Sequence, residues 1–429
     1  MKKHYLLALL PALILASCGG GAAEETDGGQ DASGNTIVKI MFHVDESSDE
    51  GKAYKKRIAD FNKEYKEKKI KASASYVART EGTTSYEQVL IAMKTEGTLP
   101  SIITFDAPNC ASYARSKLIV DISDVFTAEE KNDFLSMNIY QEKVYGVPIQ
   151  ESSAGFYYNK NIFAAAGIDV SSYTVENPWT FDQFKEVCQK LKNYGNGVTP
   201  VDMRIDATRD EMATYLLYPI IYAAGGKFVN PSNGKQATGY MNSEASKRGF
   251  QFIKDIISSG YTSYSVGSAD FFTGKAAMYL SSGWTIPDIV NKYKAVFPDR
   301  NSWGILPYPQ DAAKASATGS WSYGLTKNSD AAKELLKFLS TAESSDVVTR
   351  ATGMIPAHKT TTQTFDVGTA EYTLRKQLEL YGTPRPETVG YNQFSTSFRN
   401  IISNLGNRGV SELVDSVTAQ LQSELDKIK

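Results

Sequence analysis

Between Ile37 and Phe105 the apolar pattern alternates between a two-residue and a 3.6-residue period. Ile37 to Phe42 is a strand-like run; Tyr54, Ile58, Phe61 and Tyr65 then recur at i, i+4, i+7 and i+11, the buried stripe of a helix. Ile70, Ala72, Ala74 and Tyr76 alternate as a strand does. Tyr86, Val89, Leu90 and Met93 mark a second helix that Gly97 and Pro100 end, and Ile102 to Phe105 forms a third strand. This βαβαβ order predicts a mostly parallel sheet covered by helices, with ligand-facing loops at the carboxyl ends of the strands. Those loops supply Asp45 and Glu46 after the first strand, Arg79 and Glu81 after the second, and Asp106 after the third. Loops are also polar simply because they are wet, so these five are candidates by position alone.

The stretch from Tyr145 to Phe163, YGVPIQESSAGFYYNKNIF, is extended and then helical, with Gly167 as its stop. Three polar residues in a row, Glu151, Ser152 and Ser153, interrupt it, so something other than core sits there. A second α/β unit follows. Thr180-Phe181-Asp182-Gln183 has the form of a capping box, and Phe184, Val187, Cys188 and Leu191 continue that helix to Gly195. Ser243 caps another helix, which ends at Gly260. Gly225 and Gly226 fit a tight turn or a close ligand approach. Ala276 to Leu280 is short and apolar, Ser281-Ser282-Gly283 is a turn, and Trp284 follows it; Trp321 and Tyr323 alternate and so share one strand face.

With 429 residues, 41% hydrophobic and 22% charged, the composition is that of a globular chain of two or three domains. A formal net charge of −2 argues against nucleic acid as a partner. No G-x-S-x-G elbow, phosphate-loop motif or H-E-x-x-H pair is present, the three His are scattered, and no cofactor is implied. Asp106 and Glu151 have the chemistry of a glycosidase pair, but nothing in the sequence sets their separation. Cys110 and Cys188 read as two buried free thiols, a disulfide being the alternative.

The YGVPIQESSAGFYYNKNIF string resembles a segment of the family 1 extracellular solute-binding proteins of ABC transporters, which include maltodextrin- and other sugar-binding proteins. GKAYKKRIADFNKEY (51–65), PWTFDQF (178–184), FFTGKAAMYLSSGW (271–284), GLTKNSDAAKELLKFL (324–339) and GMIPA (353–357) carry the resemblance in the family's order. It implies a two-lobed α/β fold of the type II periplasmic-binding-protein class, with discontinuous lobes and three hinge crossings. The expected lobes are 36–149 with 282–324, and 150–281 with 325–429. It also implies a small-molecule sugar ligand between the lobes, ABC permease subunits as partners, and a monomer. Polyols, sugar phosphates and a sensing role are the alternatives.

Under that resemblance, Glu151 and Ser152 are ligand candidates near the hinge, Glu151 alternatively being a hinge carboxylate paired with a basic residue. Trp284 is the first choice for a sugar-stacking ring, the other reading being a packing Trp that stiffens the hinge. Trp321 and Tyr323 are candidates for ligand or core alike, and Gly225 completes the set. At the amino terminus Lys2, Lys3 and His4 precede an apolar run to Ala16, too short to span a membrane and right for a signal-peptide core. Leu15-Ala16-Ser17-Cys18 resembles the bacterial lipobox, implying a signal peptide over 1–17, lipid on Cys18, a flexible linker over 18–35 and membrane attachment outside the cytoplasm.

Overall fold

The computed structural model describes residues 26–79, 86–206 and 211–428. Its strands are β1 Thr36–Phe42, β2 Ile70–Tyr76, β3 Ile102–Asp106, β4 Asn138–Tyr140, β5 Lys143–Pro148, β6 Gln150–Glu151 and β7 Ala154–Asn159. They continue with β8 Thr199–Asp202, β9 Ala276–Ser282, β10 Trp303–Leu306, β11 Ser316–Thr318, β12 Trp321–Leu325, β13 Ile355–Pro356 and β14 Gly382–Pro384. Two sheets dominate, in the orders β2-β1-β3-β12-β5-β4 and β10-β7-β9-β8. In the first, β1 runs parallel to β2 and β3 as the alternating periods predict, and the returning β12 lies antiparallel between β3 and β5.

Each sheet is covered by helices whose apolar faces close a separate core. Helix Asp49–Glu64 lays Tyr54, Ile58 and Phe61 on the first sheet, and Ser48 caps it by accepting from the Gly51 N–H. In the second body the Thr180–Gln183 capping box is formed, and Phe184, Val187, Cys188 and Leu191 are buried along helix Phe181–Tyr194. Ser243 likewise caps helix Glu244–Ser258; such a cap contributes about 1 kcal/mol. Cys110 and Cys188 are buried free thiols in different cores.

Among the described residues the chain passes between the two bodies three times. The first passage is β5-β6-β7; the second runs from β11 to β12; the third lies between Ala357, in the first core, and Ala370, in the second. The turn at 281–284 is not a crossing, contrary to expectation: after β9 the chain forms helix Thr285–Lys292 and then β10, which pairs with β7. Residues 303–318 therefore belong with the second body and not, as the sequence suggested, with the first. Helices Asp330–Leu339 and Ala342–Thr352 move the other way, because Leu335, Leu336 and Val348 bury against the first core.

The expected linker over 18–35 is also corrected from residue 26 onward. The Asp27 carboxylate accepts from the Lys39 N–H at 2.8 Å and the Ser101 hydroxyl at 3.0 Å, and pairs with Lys327 at 2.5 Å, which ties this segment to the first sheet. Cys18 and the apolar leader lie outside the described residues.

After β9 two glycines let backbones meet. Gly353 ends helix Ala342–Thr352 with φ 72°, and a Cβ on Gly283, just past β9, would overlap the Gly353 carbonyl oxygen. Gly283→Ala is expected to cost about 1–3 kcal/mol, read as a fall in the denaturant midpoint with an unchanged slope; an unaltered midpoint would show that this contact is not rigid.

Candidate functional site

The carboxyl ends of β1, β2 and β3 face the second body across a cleft of about 480 Å³. From the first body it receives Glu50, Arg79, Asp106 and Trp321; from the second, Glu211, Tyr215, Trp284, Asp288 and Arg385; Gln150 and Ser152 of the first crossing form its floor. A second cavity, of about 650 Å³, shares Gly319 and Arg385 with the cleft but is lined by Glu151 and Tyr222. The smaller cleft is the candidate site because both tryptophans and the strand ends converge there.

Period-two alternation explains which crossing residues reach it. Gln150 and Ser152 point into the cleft, while Glu151 between them points to the other cavity. Glu151 is buried and accepts hydrogen bonds from the Ser136 and Thr318 hydroxyls; no basic residue pairs with it in these contacts, and burial raises its pKa. Asp106 and Glu151 thus do not share a cavity, which leaves the glycosidase pairing without a geometric basis. Ser152 donates to the Gly319 carbonyl at 2.8 Å and accepts from the Tyr215 hydroxyl at 2.6 Å, joining the hinge to helix Glu211–Ala223.

Trp321 stands at the cleft end of β12, half-buried, with His43 stacked on it at 3.4 Å and the Arg79 guanidinium 5.1 Å from its ring centre. His43 is buried, and desolvation, with Arg79 nearby, lowers its pKa; the imidazole is therefore neutral and its 3.7 Å approach to Glu50 is not an ion pair. Tyr323, two residues deeper on the same face, is 1% exposed and packs edge-on to Phe42, so the core reading holds for it. Trp284 is half-buried, with Tyr215 5.7 Å away, and opens onto the cleft from the opposite body.

The remaining expected residues disperse. Asp45 caps its own loop by accepting from the Ser47 N–H and hydroxyl, and Glu46 pairs with Lys55 at the surface; neither lines the cleft. Gly225, at φ 82°, is an exposed turn beside Ala312, away from the site. Glu81 lies outside the described residues.

Sequence reasoning missed Glu50, Glu211, Tyr215 and Arg385. Arg385 is 6% exposed: Nη1 donates to Asp106 Oδ2 and to Glu211 Oε1, both at 2.9 Å, and Nη2 donates to Asp106 Oδ1 at 2.6 Å. Its guanidinium carbon lies 5.3 Å from the Tyr215 ring centre. The one signal in the sequence was its setting, Pro384-Arg385-Pro386, in which two fixed φ angles present the side chain stiffly. Glu50 accepts from the Tyr54 hydroxyl at 2.7 Å, and burial pushes its carboxyl from 4.5 up to about 7. Among the described residues no group of three or more His, Cys, Asp or Glu is placed to hold a metal ion.

A carboxyl raised by burial makes the folded state hold a proton that the unfolded chain has lost. Its contribution is complete below pH 4.5 and disappears as pH rises through about 7. Asp202, pushed up to about 7 by burial in the second body, acts in the same direction. Glu50→Gln should therefore flatten the decline in stability between pH 4.5 and 7, by no more than about 3 kcal/mol because a fifth of the side chain meets solvent. Melting curves across that range check this; parallel curves for variant and parent would contradict it.

The sequence model described as "Bacterial extracellular solute-binding protein" matches residues 45–346. A protein of Brucella abortus (strain 2308), provisionally named a binding protein, is 27% identical over 257 residues, a match spanning 56% of this chain and 56% of that one. The chain thus spans about half the length of the curated relatives it matches. Among solved structures, the cyclic alpha-maltosyl-1,6-maltose binding protein of Arthrobacter globiformis superposes with TM-score 0.73 at 21% identity, covering 91% of this chain and 99% of that one. The sugar-binding protein MalE of Xanthomonas citri gives 0.76 at 16%, covering 91% and 98%. UgpB of Mycobacterium tuberculosis, in complex with glycerophosphocholine, gives 0.70 at 17%, covering 92% and 99%. At these identities the likeness shows the two-lobed fold.

Proposed function

Because the chain belongs to the bacterial extracellular solute-binding proteins, we propose that its cleft captures a mono- or oligosaccharide and that the chain hands it to ABC permease subunits. The observation that carries this reading is the pair of tryptophans, Trp321 from one body and Trp284 from the other, opening on a cleft also lined by carboxylates, an amide, hydroxyls and two guanidiniums. Sugars present C–H faces that stack on aromatic rings and hydroxyl edges that bond to such groups. Several structural neighbours are sugar binders by name, which favours this class; the neighbour with glycerophosphocholine keeps a polyol or phosphate-bearing solute as the second reading.

In this account the solute touches both bodies only when they are closed, and that differential contact shifts the equilibrium toward closure. The lipobox-like Leu15-Ala16-Ser17-Cys18 supports attachment of the mature chain through lipid on Cys18 at the outer side of a membrane. Among the described residues no helix is long and apolar enough to cross one. The role is binding, by a monomer.

A thermal-shift panel on the chain beginning after Cys18 tests the reading. A sugar at about 100 times its Kd should add roughly 2.7 kcal/mol of stability, and Trp284→Ala or Trp321→Ala should weaken its binding about 10- to 100-fold. Saturable binding of a sugar that both variants leave unchanged would overturn the aromatic assignment, and a panel in which only phosphate-bearing solutes bind would overturn the sugar.

A further inference from the structure

The cleft carries a charge pattern that its aromatic rings do not account for. Five carboxylates line it, Asp49, Glu50, Asp106, Glu211 and Asp288, against two guanidiniums, Arg79 and Arg385. The buried guanidinium of Arg385 is not open to an anion. Arg79, 37% exposed, has Nε 3.4 Å from Glu87 and its charge over the Trp321 ring. Arg385 has both terminal nitrogens committed to Asp106 and Glu211, one carboxylate from each body, and only Nε lacks a partner among the described residues. Glu211 is itself oriented by the Tyr391 hydroxyl and by Ser395, whose hydroxyl donates to it at 2.6 Å.

A phosphate or carboxylate approaching Arg385 meets two negative charges at hydrogen-bonding distance from the same guanidinium. To displace either would strand a carboxylate in a site largely removed from water, at a cost that a single new ion pair does not recover. A hydroxyl or an ammonium, by contrast, donates to the outer lone pairs of those carboxylates without disturbing the bridge.

Taking the cleft as the solute site, we propose that Asp106 and Glu211 neutralise Arg385 and so make the cleft select uncharged or amine-bearing polyhydroxy solutes over phosphorylated or carboxylated ones. Arg385 is then a specificity-determining residue: it holds two acceptors across the cleft in fixed orientation and is withheld from anions.

The test uses inorganic phosphate as probe, titrated at constant ionic strength into the chain beginning after Cys18, with binding read by calorimetry and thermal shift and folding checked by circular dichroism. The wild type should show no saturable binding that Arg385→Gln removes. Glu211→Gln, and more strongly the Asp106→Asn/Glu211→Gln double variant, should bind phosphate at least about tenfold more tightly than wild type, and adding Arg385→Gln should abolish the gain. Saturable phosphate binding by the wild type that Arg385→Gln removes would overturn the proposal, as would folded variants that gain nothing. Should the double variant not fold, Glu211→Gln decides by the same criterion, since Glu211 is the less buried partner. Silence of all neutral sugars would count against the sugar reading, while the phosphate titration still decides the charge claim.

Discussion

One guanidinium joins the two bodies of this protein across their cleft. Arg385 follows β14 in the second body, Asp106 ends β3 in the first, and their bidentate contact is buried on both sides, with side chains 3% and 8% exposed. Ions removed from water in this way are stable only when every strong partner is supplied, and losing one member of such a pair typically costs about 3–5 kcal/mol. The supply here is generous, with two carboxylates from different elements and tyrosine rings alongside. The relative placement of Trp284, Trp321 and the hinge residues therefore depends on a contact that closes around charge, whereas the cores on either side close around apolar surface.

That division of labour follows from the topology. Each sheet has its own helices and its own core, and the first passage feeds both, with Val147 and Ile149 buried in one and Ala154 and Phe156 in the other. Where backbones approach beside the crossings, side chains are small or absent: Gly283 meets Gly353, Ser153 shares a hydrogen bond with Ser316 at 2.8 Å, and Ser282 donates to the Ser153 carbonyl at 2.6 Å. Hydroxyls satisfy these buried strand ends without filling space, which explains why the polar interruption in the first crossing is serine-rich.

The first sheet, its helices and the crossing segment were legible in the sequence because their signals are local. A period of two or 3.6 is read within a dozen residues, and Ser243 and Thr180 each stand directly before the helix they cap. Expectation failed where a contact spans the chain. Asp106 and Arg385 are 279 residues apart, and no pattern around either one names the other. The same holds for helix Asp330–Leu339, expected in the second lobe, which buries Leu335 and Leu336 against the first core. Trp321 and Tyr323 show the finer limit: alternation puts them on one face, and only depth along β12 makes one a cleft residue and the other core. Glu151 shows the converse, since the polar run was rightly read as a hinge but its parity sends that carboxylate to the opposite side.

A sugar held by both bodies should shift them toward closure. Small-angle X-ray scattering tests it most directly, on the chain beginning after Cys18, alone and saturated with the sugar that gives the largest thermal shift. A smaller radius of gyration and a shorter maximum dimension are expected with the sugar bound. Identical scattering with and without a sugar that calorimetry shows to be bound would contradict it.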